Sequence, residues 1–345
     1  MQQIIVLYGG ASSEHEVSCR SASFILNNLD QNKYEIIPVA VTKSGEWCVQ
    51  QLDQVLKPGS SVVAITNQQA ISPTGPNGLL STNHNAVVFP IIHGTSGEDG
   101  KIQGLLEMAE VPYVGSNSIS SGIGFDKVFS KKLAQLEGVP VVEYVSFSRS
   151  KWKENSEACK TLISTNLKPP MFIKPVRQGS SIGISKVTQL SQIDAALNLA
   201  FKHDTNVLIE RAISARELEC AVLSDGSIIE ISDVGEIRMN SAEFYDYDTK
   251  YLSDTGADII IPAQISSELV EQIKSYSKQI FEALNLYGMA RIDFFLESST
   301  EKIYFNEVNT VPGFTSISQY PQLWKAKGIS GPELLDRLIS SALNR

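Results

Sequence analysis

The sequence predicts a protein of mixed α/β and α+β class, with an N-terminal open parallel α/β sheet domain followed by α+β lobes. Three observations carry this expectation. A chain of 345 residues is too long for one ordinary core and suggests two or three domains. Its first hundred residues alternate short apolar runs with helical stretches, as an open parallel sheet does. Its last third sets two β-branched and aromatic runs on either side of a polar break, as an antiparallel hairpin does.

Composition narrows the function classes. Hydrophobic residues at 42% and charged residues at 19% are those of a soluble globular protein. A net charge of −9 argues against nonspecific nucleic-acid binding, which needs a basic surface, although a local basic pocket could still take phosphate. The longest apolar runs, such as Ile259 to Ile261, fall far short of a membrane span. Met1-Gln2-Gln3 lacks the basic start and apolar core of a signal peptide, so the cytoplasm is the expected location. Cys19, Cys48, Cys159 and Cys220 have no paired spacing and read as free thiols.

The elements follow in order. Ile4 to Tyr8 is an apolar run stopped by Gly9-Gly10, as expected of a buried parallel strand. Ser12 or Ser13 can cap the helix that runs on to Leu29. Glu14 and Glu16 fall in its first turn, where the macrodipole favours negative charge; the same field would keep a carboxylate ionised to hold an ammonium group. Strands are expected at Tyr34 to Val41 and Ala86 to Pro90. Ligands of open sheets bind beyond the carboxyl ends of strands, which is where Gly9-Gly10 and His93-Gly94 fall.

Between Val41 and Asn85, the breaker-rich Lys57 to Ser61 and Ser72 to Gly78 predict surface hairpins or loops rather than another core layer. His93 to Gly100 is a glycine-rich loop before the amphipathic Ile102 to Met108. His93 is either a structural hydrogen-bonder or a substrate contact.

Gly122-Ile123-Gly124 suggests a change of domain, followed by a helix from Phe125 to Leu133 that ends before Gly138. Lys127, Lys131 and Lys132 read as a solvated face, most plainly the last two. Met171 to Pro175 is a strand, and Val176 to Ile184 is a Gly/Ser turn before another. Lys174 with that loop suggests phosphate binding, although this is no Walker loop. Ser191 to Phe201 is a packing helix leading to the strand Val207 to Arg211. Glu210 near that strand's end and Glu217 before Leu218 are solvated carboxylates or acceptors for adenine and ribose.

Ala290 to Leu296 and Ile303 to Val308 form the expected hairpin. Asp293 on one strand, with Glu307 and Asn309 two apart on the other, can share a face and offer only oxygen. Such ligands suit magnesium, whose shell is completed by water and substrate phosphates. The plainer reading is that these side chains are solvated.

Four motifs occur in order: Gly9 to Ser18; His93-Gly94 with Gly97 to Gly100; Lys174-Pro175 with Gly179 to Gly183; and Arg291-Ile292-Asp293 with Glu307 to Thr310. Together they resemble D-alanine–D-alanine ligases of the ATP-grasp superfamily. The resemblance implies an N-terminal substrate domain at 1–121, a central ATP-grasp lobe at 122–212 and a C-terminal lobe at 213–345. It implies ATP-dependent ligation of two D-alanine molecules through an acylphosphate, for peptidoglycan precursor synthesis. Two magnesium ions, with manganese as a substitute, would be held by Asp293, Glu307 and Asn309. Lys127, Lys174 and Lys250 would contact phosphates, with Ser180 and Ser181 in the wrapping loop. Glu210 and the Arg211, Ala212 and Ile213 backbone would hold adenine, and Glu217 the ribose. Glu14 would hold the first ammonium group, with His93 near that substrate. Arg291 and the Gly313 amide would stabilise the oxyanion, so on this resemblance Arg291 reads as the oxyanion donor rather than as a salt-bridge partner of Asp293. Ser318 would bind the second carboxylate.

Ser241 to Asp254 resembles the family's mobile omega loop, with Tyr251 bonded to Ser180 and Glu14. The resemblance also implies a homodimer formed through the N-terminal domain. Gly124-Phe125, Ala215 and Gln319 depart from the commonest family pattern. Gln319 bears on the second site, where D-serine or D-lactate would be the alternative substrate. A nucleotide-binding regulator is disfavoured by the intact charged set, and a dinucleotide oxidoreductase by the lack of a Gly-x-Gly-x-x-Gly fingerprint.

Overall fold

The computed structural model describes residues 1–56, 60–83, 85–239 and 257–345. The first sheet contains β1 (Gln2–Gly9), β2 (Tyr34–Val41), β3 (Trp47–Val49) and β4 (Val87–Pro90), in the order β3-β2-β1-β4. β1 pairs in parallel with β2 and β4, and α1 (His15–Asn28) forms the crossover between the first two strands. β3 is an addition to the expected sheet. It pairs antiparallel with β2 across a turn closed by Thr42 and Glu46, so the sheet is mixed rather than wholly parallel. Three residues are too few to show a strand period, which is why Trp47–Val49 was not legible. The stretch expected as surface loops also carries α2 (Leu52–Val55) and α3 (Leu79–Thr82), and it buries Val55, Val63, Leu79 and Leu80.

After α4 (Lys101–Met108), the single helix expected from Phe125 is two: α5 (Ser118–Phe125) and α6 (Lys127–Leu136). Asp126 makes the break. Its carboxylate accepts from the Val128 and Phe129 amides at 3.0 Å each and so starts a new helix.

The second sheet holds β5 (Tyr144–Ser148), β6 (Met171–Pro175), β7 (Ser185–Val187) and β8 (Asn206–Arg211), ordered β5-β8-β6-β7 and antiparallel throughout. Its helices are α7 (Arg149–Glu154), α8 (Ser156–Asn166) and α9 (Ile193–His203). The third sheet is also antiparallel: β9 (Ala215–Ser224), β10 (Ile229–Met239), β11 (Ala257–Ile260), β12 (Gly288–Glu297) and β13 (Ile303–Asn309), ordered β11-β10-β9-β12-β13. Its helices are α10 (Ser267–Ala283), α11 (Gln319–Ala326) and α12 (Gly331–Leu343).

Two packing features bring the sheets together. Phe314, Tyr320, Trp324, Leu334 and Leu338 near the C-terminus join Tyr8, Ile25 and Phe89 of the first unit in one core. Truncating a buried aromatic such as Trp324 or Tyr320 in such a core costs about 3–5 kcal/mol. Ala134 of α6 and nearby Val139 pack into the core of the third sheet, which sets α6 against β13. The cleft lies where these contacts meet. Among the described residues, no helix is long and apolar enough to cross a membrane.

Candidate active site

One cleft is lined by Glu14 and Glu98 from the first unit, by Gln178, Gly179 and Ser180 from the loop after β6, and by Arg291, Glu307, Val308 and Asn309 from the third sheet. Gly124, Phe125 and Lys127, at the α5–α6 junction, complete it.

The hairpin sets the floor. β12 and β13 pair antiparallel with Asp293 opposite Glu307 and Arg291 opposite Asn309. An irregularity follows Asp293, so the next register pair is Phe294 with Phe305. Strand alternation puts Arg291 and Asp293 on one face. Arg291 donates from Nε to Asp293 Oδ1 and from Nη2 to Asp293 Oδ2, both at 2.8 Å. Its Nε also lies 2.8 Å from Glu219 Oε2 of the neighbouring β9. The salt bridge set aside on resemblance is therefore present. A guanidinium is a planar fork of N–H donors, a geometry that suits an oxyanion. Asn309 Nδ2 donates to Asp293 Oδ2 at 3.0 Å.

Lys127 Nζ lies 2.9 Å from Glu307 Oε2 and donates to the Gln178 carbonyl at 2.8 Å. Burial works against its charge, but Glu307, with Glu98 and Glu14 nearby, raises it above the ordinary lysine range. Among the described residues, no group of three or more His, Cys, Asp or Glu side chains gathers as a metal site. The donor set is nonetheless all oxygen: Asp293 and Glu307 carboxylates with the Asn309 amide. That set fits a hard cation that shares its shell with phosphate.

The N-terminal wall is built on Glu14. It is buried, and Ser180 Oγ donates to its Oε1 at 2.5 Å. Gly94 and Gly179 cradle it: a Cβ on Gly94 would meet Glu14 Oε2 at 2.4 Å, and one on Gly179 would meet it at 3.1 Å. Ser180 and Ser181 both have positive φ, 51° and 58°, a backbone form that turns the loop tightly and that L side chains adopt at a cost.

Lys174, on the strand before the Gln178–Ser180 loop, belongs to a buried charge cluster. Glu210 Oε1 is 2.8 Å from Lys131 Nζ and its Oε2 is 2.6 Å from Lys174 Nζ. Burial alone would push the Glu210 carboxyl up, but the two ammonium groups hold it down at about 2. This corrects the expectation that Lys131 is solvated. Its side chain is 0% exposed, because it sits four residues after Lys127 on the face that α6 turns towards β13.

His93 is buried with both ring nitrogens engaged, Nδ1 to the Val311 carbonyl at 3.1 Å and Nε2 to Ser21 Oγ at 2.8 Å. Ser21 Oγ also accepts from the Phe314 amide at 3.2 Å, so this network ties the loop after β13 to α1. In that loop, Ser318 Oγ accepts from the Thr315 amide at 3.0 Å, and a Cβ on Gly313 would come within 3.0 Å of it.

The structure thus brings Glu14, Ser180, Lys127, Arg291, Asp293, Glu307 and Asn309 together, with Lys174 and Glu210 adjoining. The Arg211 side chain turns away to Glu143 and Glu297, and the Arg211 and Ala212 amides bond the Glu143 and Pro170 carbonyls. Glu217 lies within β9, opposite Phe295, rather than at a strand end. Lys250, Tyr251 and the stretch Ser241 to Asp254 lie outside the described residues. Sequence reasoning gave no role to Glu98 or Glu219. The signal for Glu219 was its place two residues after Glu217, on the same strand face.

Two family models cover most of the chain: D-ala D-ala ligase N-terminus at residues 3–116 and D-ala D-ala ligase C-terminus at residues 133–340. A D-alanine–D-alanine ligase of Caldicellulosiruptor bescii is 42% identical over 99% of this chain and 95% of the relative. One from Thermoanaerobacter pseudethanolicus is 44% identical over 99% of this chain and 96% of its own. Among solved structures, the VanG D-Ala:D-Ser ligase of Enterococcus faecalis is similar with a TM-score of 0.83 and 38% identity, covering 99% of both chains. The D-alanine-D-alanine ligase of Coxiella burnetii has a TM-score of 0.81 and 34% identity, covering 100% of this chain and 94% of that one.

Proposed function

The chain belongs to the D-alanine–D-alanine ligase family, and from that membership we propose how its residues carry out the ATP-dependent joining of two D-alanine molecules. The relatives at 40 to 44% identity favour D-alanine over D-serine or D-lactate as the second substrate. The product is a peptidoglycan precursor. Its carboxylate and amine substrates leave the chain two tasks, which are to neutralise phosphoryl charge and to hold a tetrahedral oxyanion.

Glu14, fixed by Ser180 and closed in by Gly94 and Gly179, holds the ammonium group of the first D-alanine. The carboxylate oxygen of that molecule takes the γ-phosphoryl group of ATP, giving an acylphosphate and ADP. Lys174, Lys127 and Lys250 contact the phosphates, and the Ser180–Ser181 turn wraps them. Asp293, Glu307 and Asn309 hold two magnesium ions, for which manganese substitutes. When bound, the cations would neutralise phosphate charge, a task that Lys127, paired with Glu307, would share. The amine of the second D-alanine, its carboxylate on Ser318, then attacks the acyl carbon, loses a proton, and phosphate leaves. Arg291, with the Gly313 amide, holds the oxyanion. His93 acts near the first substrate by fixing the Val311–Phe314 loop. Glu210 and the backbone from Arg211 to Ile213 form the adenine wall, Glu217 meets the ribose, and Tyr251 joins Ser180 and Glu14.

The reaction runs in the cytoplasm, where ATP is available. The three-domain division at 121/122 and 212/213 is supported by the presence of one sheet in each part. A homodimer through the N-terminal domain is supported by Met108 and Ile119, which are 88% and 72% exposed on the mutually packed α4 and α5.

The observation that carries the reading is the convergence of Glu14, Ser180, Lys127, Arg291 and Glu307 on one cleft. The test is incubation with ATP, magnesium and D-alanine, with D-serine and D-lactate in parallel, followed by ADP release and by mass analysis of the product. ATP binding without dipeptide would sink the ligase mechanism. A mixed product preferred over the D-alanine dipeptide would overturn the second-substrate assignment.

A further inference from the structure

The Lys131–Glu210–Lys174 cluster is unbalanced. One carboxylate meets two ammonium groups, each oxygen engaged by a different lysine at 2.8 and 2.6 Å. Lys131 and Glu210 are sealed, with side-chain exposures of 0% and 3%, whereas Lys174 reaches solvent at 10%. The neighbouring cation Lys127 is matched by Glu307 at 2.9 Å, and Arg211 is matched by Glu143 and Glu297. Of the two lysines on Glu210, Lys174 is the one with access to solvent, near the end of the strand that leads into the cleft-lining Gln178–Ser180 loop. Burying an unmatched cation is costly unless an anion completes it.

We propose that Lys131 is a positioning residue for nucleotide binding: it neutralises Glu210 through a buried ion pair, so that the Lys174 ammonium can leave that carboxylate for the phosphates. The inference rests on the reading of Lys174 as a phosphate contact. With Lys131 absent, Glu210 and Lys174 would form a one-to-one buried pair, and a phosphate would have to break it. Lys131 is itself anchored. Its Nζ donates to the Phe305 carbonyl at 3.2 Å and lies 5.8 Å from the Phe305 ring centre, on the strand that carries Glu307. Burial and the Lys174 charge lower its proton affinity, while Glu210 and, less strongly, Glu307 oppose them.

The test compares dissociation constants for ATP and adenosine by calorimetry in the full chain, with folding checked by thermal unfolding. Lys131→Met should weaken ATP at least tenfold while changing adenosine less than about threefold, and should raise the KM for ATP more than it lowers kcat. Adding Glu210→Gln to Lys131→Met should bring the ratio of the two constants back towards that of the unaltered chain, because Lys174 then has no competing carboxylate. Mere structural damage would not be repaired by a second buried substitution. Equal weakening of ATP and adenosine, or a double variant whose ratio stays with Lys131→Met, overturns the proposal. If Lys131→Met alone does not fold, the double variant decides: a ratio of ATP to adenosine dissociation constants well above that of the unaltered chain overturns it. Lys174→Met separates the two levels. If ATP affinity survives that change, the phosphate reading of Lys174 fails, and the role of Lys131 fails with it; if it falls, only the Lys131 comparison is at stake.

Discussion

Ser180 Oγ donates to Glu14 Oε1 at 2.5 Å, across 166 residues of chain, and so ties the loop after β6 to the N-cap of α1. A buried carboxylate that loses such a donor costs about 1–3 kcal/mol. Ser180→Ala should therefore lower kcat/KM for D-alanine by roughly 5- to 150-fold, with a smaller change in the KM for ATP. Initial rates at varied D-alanine and fixed ATP measure it. An equal rise in both KM values would mean that the loop had collapsed rather than that Glu14 had lost its orientation.

Glu307 faces Asp293 across the hairpin and pairs with Lys127. Glu307→Gln keeps shape but removes a negative charge where phosphoryl charge must be managed. Turnover should drop roughly 100-fold or more, in line with the loss of a preorganised electrostatic group. Stability should drop only by about 1–2 kcal/mol, since Lys127 keeps the Gln178 carbonyl as an acceptor. ADP release and urea unfolding on the same preparation separate the two. Parallel loss of both would make Glu307 a structural residue.

The Glu210 carboxyl, at about 2 against an ordinary 4.5, predicts a pH dependence of stability. Its native value is depressed, so the unfolded chain binds more protons between the two values. The stabilisation is complete above about pH 5 and is lost as pH falls through 4.5 towards 2. It is on the order of 3 kcal/mol. Unfolding by urea at pH 7, 5, 4 and 3 should show Glu210→Gln less stable by that order at pH 7, with the gap closing as pH falls. A gap that is constant with pH would mean that the loss is one of packing.

What the sequence made legible was whatever repeats locally. Ile4 to Tyr8 was expected as a strand and lies within β1, because a buried parallel strand is a continuous apolar run. A hairpin bringing Asp293 towards Glu307 and Asn309 was expected by counting along alternating strands, and β12 and β13 pair Asp293 with Glu307. Lys131 was misread for the opposite reason. Its partners Glu210 and Phe305 lie far along the chain, and no local period reveals that α6 turns that face into a core. Arg291 was half read: Asp293 is two residues away, whereas Glu219 reaches it only through the β9–β12 register. The break at Asp126 was also hidden, because a capping aspartate between two helical stretches has the composition of a helix surface.

Gln319 follows Ser318 and is buried, yet neither its Oε1 nor its Nε2 has a hydrogen-bond partner among the described residues. Its surroundings are apolar or closely packed. A Cβ on Gly235 would meet Gln319 Oε1 at 2.5 Å, Leu323 Cδ2 at 3.1 Å and Ile261 Cγ1 at 3.4 Å. A buried amide without partners costs about 1–3 kcal/mol, and a thioether of similar length avoids that cost. Gln319→Met should therefore stabilise the chain by about 1–2 kcal/mol in urea unfolding, against the usual trend of core substitutions. Gln319→Ala separates the two terms, since it removes the unpaired amide but leaves a cavity beside Leu323 and should gain less or lose. A loss of stability with methionine would show that the amide is satisfied in the folded protein, and would make Gln319 a polar contact at the edge of the second-substrate site.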